Sequence, residues 1–157
     1  MRTGRAKSPI IYGPADTFEI GKAKVHGSGR DVAIVACGFE MQYALHAQAQ
    51  LEEEGISARV IDMHTIKPLD QETIAQAARD CGAIVTAEEH LLDGGLGSQV
   101  ARAVGQHAPV PMEFVGVENT YAESATPEQL MEKYGLTTPN IVSAVKRVLK
   151  RKQAIGT

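Results

Sequence analysis

Three short segments carry the residue types that could do chemistry. The densest is Glu88-Glu89-His90. Two carboxylates and an imidazole are the groups of general acid–base catalysis and of metal ligation. Their spacing argues against a trio, because successive side chains of an extended segment point to opposite sides and cannot all converge. The segment is read as meeting a neighbouring domain or a helix N-terminus, and a place on an active-site rim is the other reading. Immediately downstream lies Gly94-Gly95-Leu96-Gly97. A glycine turn that opens a helix can hold an anion on its free N–H groups. This run lacks the GxGxxG spacing and the lysine of a phosphate-binding loop, and Asp93 repels a phosphate. A tight turn that brings a helix close to a sheet is the simpler reading of Gly94, Gly95 and Gly97.

The third segment, Met63-His64-Thr65-Ile66-Lys67, holds a lone imidazole, which reads as structural or exposed. His26, His46 and His107 have no partner that spacing assigns. No Ser/His/Asp or Cys/His arrangement stands out, so a stand-alone hydrolase or metal enzyme is disfavoured. Cys37 and Cys81 lack metal-ligand spacing and cannot form a disulfide framework; they read as buried thiols in a reducing, cytoplasmic setting.

These segments need a scaffold, and the apolar pattern supplies one. Asp31-Val-Ala-Ile-Val-Ala-Cys37, Ala58–Met63, Ala83–Ala87 and Pro111–Gly116 are short apolar runs, which predict buried strands. Between them the pattern predicts helices over 40–54, from Pro68 to Ala78 and from the glycine run to about Gln106. Two more follow: one starts at Thr126-Pro127, a cap residue then proline at the first helical position, and one runs from Pro139, capped by Thr138, to about Lys150. Strand and helix alternate, which predicts an α/β fold with a parallel sheet and helices on both faces. In such sheets ligands bind at the carboxyl ends of the strands. Gly38-Phe39-Glu40, the His64 loop and Glu88–His90 all fall there. Residues 1–30 read as an irregular arm, in which Ile10–Tyr12 and Phe18–Ile20 are candidates for edge strands or for an arm lying on a neighbour. Residues 31–150 form the domain, and 151–157 read as a frayed tail.

Composition narrows the function classes. The formal charge is −3 and basic residues cluster only near the two termini, so no basic stripe suits nucleic acid. No apolar run reaches transmembrane length and no signal peptide is visible, so no membrane partner is expected. Trp is absent, so the core is built from Ala, Val, Ile and Leu.

Taken together, Asp31–Gly38, Ala58–Met63, Thr65-Ile-Lys-Pro-Leu-Asp70, Glu88-Glu89-His90, Gly94-Gly95-Leu96-Gly97 and Tyr134-Gly-Leu-Thr137 resemble the C-terminal domain of transketolases. Deoxyxylulose phosphate synthase and the beta subunits of 2-oxo acid dehydrogenases share this domain. The resemblance runs from about residue 2 to residue 150. It implies a three-layer α/β/α fold with a mostly parallel five-stranded sheet and one antiparallel edge strand. It implies transfer of a two-carbon ketol unit between sugar phosphates, with thiamine diphosphate and magnesium, in a homodimer or a split two-subunit enzyme. It also implies that the cofactor is held by other domains, so that this chain is a non-catalytic C-terminal part that binds no cofactor alone and partners a cofactor-binding domain or subunit.

The family holds magnesium and diphosphate with a Gly-Asp-Gly element followed by Asn. Asp93-Gly94 and Asn119 mimic this gap, but Leu92 replaces the leading glycine. Arg2-Thr-Gly-Arg5 resembles the end of the family's pyrimidine-binding domain, which makes Arg5 a candidate for the substrate phosphate; a guanidinium can bind phosphate bidentately. Met1 directly before this segment suggests a truncated or separately encoded piece. Glu123-Ser124-Ala125 departs from the family's Glu-Ser-Gly, and Ala does not favour a positive φ. The alternatives are a C-terminal part of a 2-oxo acid dehydrogenase beta subunit, or an independent small-molecule-binding module of flavodoxin-like architecture using the strand ends near Glu40, His64 and His90.

Overall fold

A computed structural model describes residues 7–155. The elements are β1 (Lys24–His26), β2 (Val32–Ala36), α1 (Glu40–Glu53), β3 (Ala58–Asp62) and α2 (Gln71–Cys81). They continue with β4 (Ile84–Leu91), α3 (Leu96–His107), β5 (Met112–Val117), α4 (Pro127–Lys133) and α5 (Thr138–Ile155). The five strands lie in the order β1-β3-β2-β4-β5. β1 is antiparallel to β3 at one edge, and every other pairing is parallel.

The pattern of β2 explains the layering. All five of its residues are buried. Val32, Ile34 and Ala36 enter a core with Met41, Ala44 and Leu51 of α1 and Ile141, Val145 and Val148 of α5. Ala33 and Val35 enter the opposite core with Ile74 and Ala78 of α2 and Leu96, Val100 and Val104 of α3. A strand covered on both faces has no reason to alternate polar and apolar residues, and each fully buried Val, Leu or Ile contributes about 1.5–3 kcal/mol. Three layers result, as the resemblance implies.

The structure moves several boundaries. The antiparallel edge strand is Lys24–His26, not Ile10–Tyr12 or Phe18–Ile20. Those two pieces supply side chains instead: the Tyr12 and Phe18 rings pack edge to face, 4.9 Å apart, with Lys24 Nζ 4.5 Å from the Phe18 ring centre. Helix α2 begins three residues after Pro68, because Asp70 is its cap rather than part of its first turn. The Asp70 carboxylate accepts the Thr73 N–H at 3.1 Å and the Thr73 hydroxyl at 2.9 Å.

Thr126 caps α4 as the sequence predicts, with a reciprocal Gln129 contact. Thr138 instead lies in the first turn of α5, and its hydroxyl donates to the Tyr43 carbonyl at 3.3 Å. Helix α5 does not fray at Arg151 but runs to Ile155. Arg151 donates to the Met112 carbonyl at 2.6 Å, and Lys152 to the carbonyls of Asp31 at 3.1 Å and Cys81 at 2.7 Å. Cys81 is buried and Cys37 half-buried, and neither forms a disulfide among the described residues. Ala125 sits at no positive φ, so its replacement of glycine is accommodated without strain.

Candidate functional site at the strand ends

Chain direction places a crevice between β2 and β4. From β2 the chain turns into α1 on one face of the sheet, and from β4 it turns into α3 on the other. Neighbouring strands whose connections leave to opposite faces form the ligand-binding crevice of open α/β sheets. Glu40, Glu88 and Glu89 are at its mouth.

The alternation argument holds at Glu88 and Glu89. Glu88 is buried, and Glu89 and His90 are exposed. The Glu88 carboxylate turns to the N-terminus of α3 and accepts the N–H of Leu96 at 2.6 Å and of Gly97 at 2.7 Å. The first N–H groups of a helix have no partner inside it, and an anion satisfies both them and the dipole. The glycines make room for this. A Cβ on Gly95 would overlap Glu88 Oε2, and one on Gly97 would lie 3.0 Å from Thr86 Oγ1. Gly94 N–H donates to the Ser98 hydroxyl at 3.0 Å. The segment thus meets a helix N-terminus, and the helix is the chain's own. The His90 ring bonds through Nδ1 to the Leu91 carbonyl at 2.9 Å.

Glu40 is the residue that spacing did not single out. It opens α1, is fully buried, and among the described residues neither carboxylate oxygen has a hydrogen-bond partner. Burial, reinforced by the Glu89 charge, pushes its carboxyl up to about 7. Its position at a strand end is the signal that points to it, although an acid at the first helical position is ordinarily a solvated dipole contact.

Beside the crevice, the arm closes over the ends of β2 and β3 to leave a cavity of about 300 Å³. Tyr12, Phe18, Phe39, Gln42, Asp62 and His64 line it. Tyr12 Oη bonds to His26 Nε2 at 2.9 Å and donates to Asp62 Oδ2 at 2.5 Å. Burial, then the Asp62 carboxylate, holds the Tyr12 hydroxyl well above its usual range. His64 bonds Thr65 through Nδ1 at 3.0 Å, while its buried Nε2 has no partner among the described residues. Arg5 falls outside the described residues.

The residues present do not fit thiamine diphosphate and magnesium. The one anion cradle that the glycine run builds is filled by Glu88. Asp93 and Asn119 are exposed, and among the described residues no three His, Cys, Asp or Glu side chains group as metal ligands.

Comparison with known proteins accounts for this geometry. The family profile for the transketolase C-terminal domain matches residues 21–141. The chain is 42% identical over 152 residues to the 6-deoxy-6-sulfo-D-fructose transketolase subunit SqwH of Clostridium sp. (strain MSTE9), covering 97% of this chain and 47% of that protein. It is 36% identical to an apulose-4-phosphate transketolase subunit of Phocaeicola vulgatus, covering 96% of this chain and 48% of that protein. It is also 36% identical to transketolase-like protein 2 of Homo sapiens, covering 96% of this chain and 24% of that protein. A solved split-gene transketolase, described as an inactive beta4 tetramer, superposes with a TM-score of 0.91 at 47% identity, over 95% of this chain and 49% of that one. The chain therefore spans about half the length of the transketolase subunits it matches, or less. With the motif order, the mixed five-stranded sheet and the profile match all in agreement, the chain belongs to the transketolase C-terminal domain family.

Proposed function

We propose that this chain serves as the non-catalytic C-terminal domain of a thiamine-diphosphate-dependent, transketolase-like transferase acting in the cytoplasm. The observation that carries the reading is the α3 N-terminus: the chain's best anion cradle is closed by its own Glu88, so the cofactor's diphosphate must be held elsewhere. A cofactor-binding domain or subunit supplies that place, and the assembled enzyme, a homodimer of such pairs, moves a two-carbon ketol unit between sugar phosphates. The relatives described as subunits support a separately encoded partner. In the assembly, Arg5 contacts the substrate phosphate, and Glu89 and His90, both exposed, meet the partner at the rim.

Calorimetric titration of this chain with thiamine diphosphate and magnesium is expected to show no binding, and micromolar binding overturns the reading. Mixing the chain with a cofactor-binding transketolase subunit from the same organism is expected to give ketol transfer from a ketose phosphate. In that mixture Arg5→Ala is expected to raise KM for phosphorylated substrates far more than it lowers kcat.

A second reading rests on the unpartnered His64 Nε2 in the arm-covered cavity. The cavity takes a small polar molecule, and a thermal-shift screen of the isolated chain with sugar phosphates and nucleotides is the measurement that finds it.

A further inference from the structure

The first turn of α1 carries a contradiction. Glu40 has both carboxylate oxygens buried with no donor on either. An ionised carboxylate in that position is unstable, and it must take up a proton or reach water. Helix N-termini normally relieve an acid through their free N–H groups, yet nothing donates to Glu40, and Phe39 gives the helix no side-chain cap.

The charges around the site do not help. Glu89 of β4 faces Glu40 with the same sign. Tyr43, one turn along α1, has its hydroxyl raised by burial, then by Glu40 and by Glu128 of α4. Across the cavity stand Asp62 of β3, already engaged by Tyr12, and His64. The turn that leads into α1 leaves open space at Gly38. Gly38 has φ +59°, and no atom lies within 4 Å of where its Cβ would stand. Gly38, Phe39, Met41 and Gln42 form one wall of the 300 Å³ cavity, so any excursion of Glu40 shifts that wall.

We propose that residues 38–42 form a proton-operated gate on the arm-covered cavity: a neutral Glu40 keeps the wall packed, and an ionised Glu40 turns out to water and opens it. The device needs neither a cofactor nor a partner, so it stands or falls independently of the transferase reading.

The sign follows from linkage. The Glu40 carboxyl sits at about 7 in the folded chain against an ordinary 4.5. Its contribution to stability is therefore complete below the ordinary value and is lost as pH rises through about 7. Glu40→Gln keeps the shape and cannot ionise, so it locks the gate closed.

The test is carbon-detected NMR of the side-chain carboxyls from pH 4 to 9 on the whole chain, with Glu40→Gln assigning the signal and Glu89→Gln removing the neighbouring charge. One carboxyl is expected to titrate near neutrality, to vanish in Glu40→Gln and to shift to lower pH in Glu89→Gln. The backbone amides of 38–42 are expected to shift with the same midpoint. Thermal melting of the wild type is expected to fall below that of Glu40→Gln as pH rises from 5 to 8. A Glu40 that titrates with the ordinary glutamates, amides of 38–42 that ignore pH, or melting curves that stay parallel would each overturn the proposal.

Discussion

Glu88 and the glycines beneath it work as one unit. The carboxylate satisfies two buried N–H groups that no other atom reaches. Removing it leaves both donors buried and unpaired, at roughly 1–3 kcal/mol each. Glu88→Ala is therefore expected to destabilise the chain by about 3 kcal/mol in urea titration. Gly97→Ala is expected to match or exceed that loss, since its Cβ would stand 2.9 Å from the Phe114 ring. Gly105 of α3 provides the control: its Cβ meets open space, so Gly105→Ala is expected to be neutral or to stabilise by about 0.5–1 kcal/mol. Asp70 is a second such residue. It caps α2 and also accepts the Ala23 N–H at 2.9 Å, which ties the approach to β1 against the helix. Burial raises its carboxyl, but the donors from Ala23 and Thr73 outweigh that and leave it below the usual value. Its contribution is present above the ordinary carboxylate range and is lost as pH falls through the lowered one. Asp70→Ala is expected to cost about 1–2 kcal/mol at pH 7, and the deficit should shrink in melts toward pH 3.

Among the elements, α5 does more than cover a face. Its last turns reach back to the sheet, where Arg147 and Arg151 bracket Glu113 of β5 at 2.9 and 2.8 Å. Lys152 bridges the starts of β2 and β4 through the carbonyls of Asp31 and Cys81. The exposed ion pairs contribute little; the bonds to carbonyls contribute more, because they satisfy acceptors at the strand starts. Ending the chain after Lys150 is expected to lower unfolding stability by about 2 kcal/mol in denaturant titration. A truncation without effect would restore the tail to the frayed role that its polar composition suggests. The helix pattern alone stops at the last apolar repeat, near Leu149, and charged residues beyond it look solvated. Their value lies in carbonyls 39 to 121 residues away in sequence, which no local pattern registers.

At the scale of the whole molecule, one sheet is shared by two cores, so neither face can unfold while the other stays packed. Val32, Ala33, Ile34 and Val35 belong alternately to both. In a Cys37→Ala background, thiol labelling of buried Cys81 and loss of far-ultraviolet dichroism are expected to share one urea midpoint. Two separated midpoints would show that the α2–α3 layer opens independently. The sheet order also determines where chemistry can collect. The reversal between β2 and β4 brings Glu40 and Glu89 together from positions 49 residues apart in the chain.

Much of this was legible in the chain itself. Continuous apolar runs, spaced glycines and Thr126-Pro127 determine the strands, the helices and the three layers, because burial on both faces and capping act through local chemistry. The linked motifs determine the family. Consecutive acids in an extended segment determine that Glu88 and Glu89 part company. Which of the two goes inward was decided only by the tertiary structure, since α3 must bring its unpaired N–H groups to one of them. The antiparallel strand at Lys24–His26 was decided there as well: three residues carry almost no pattern, and their pairing with β3 depends on a long-range edge. The same holds for Glu40. An acid at the start of a helix reads as solvated, and only the packing of α1 against β2 and β4 removes the water that would have kept it ionised.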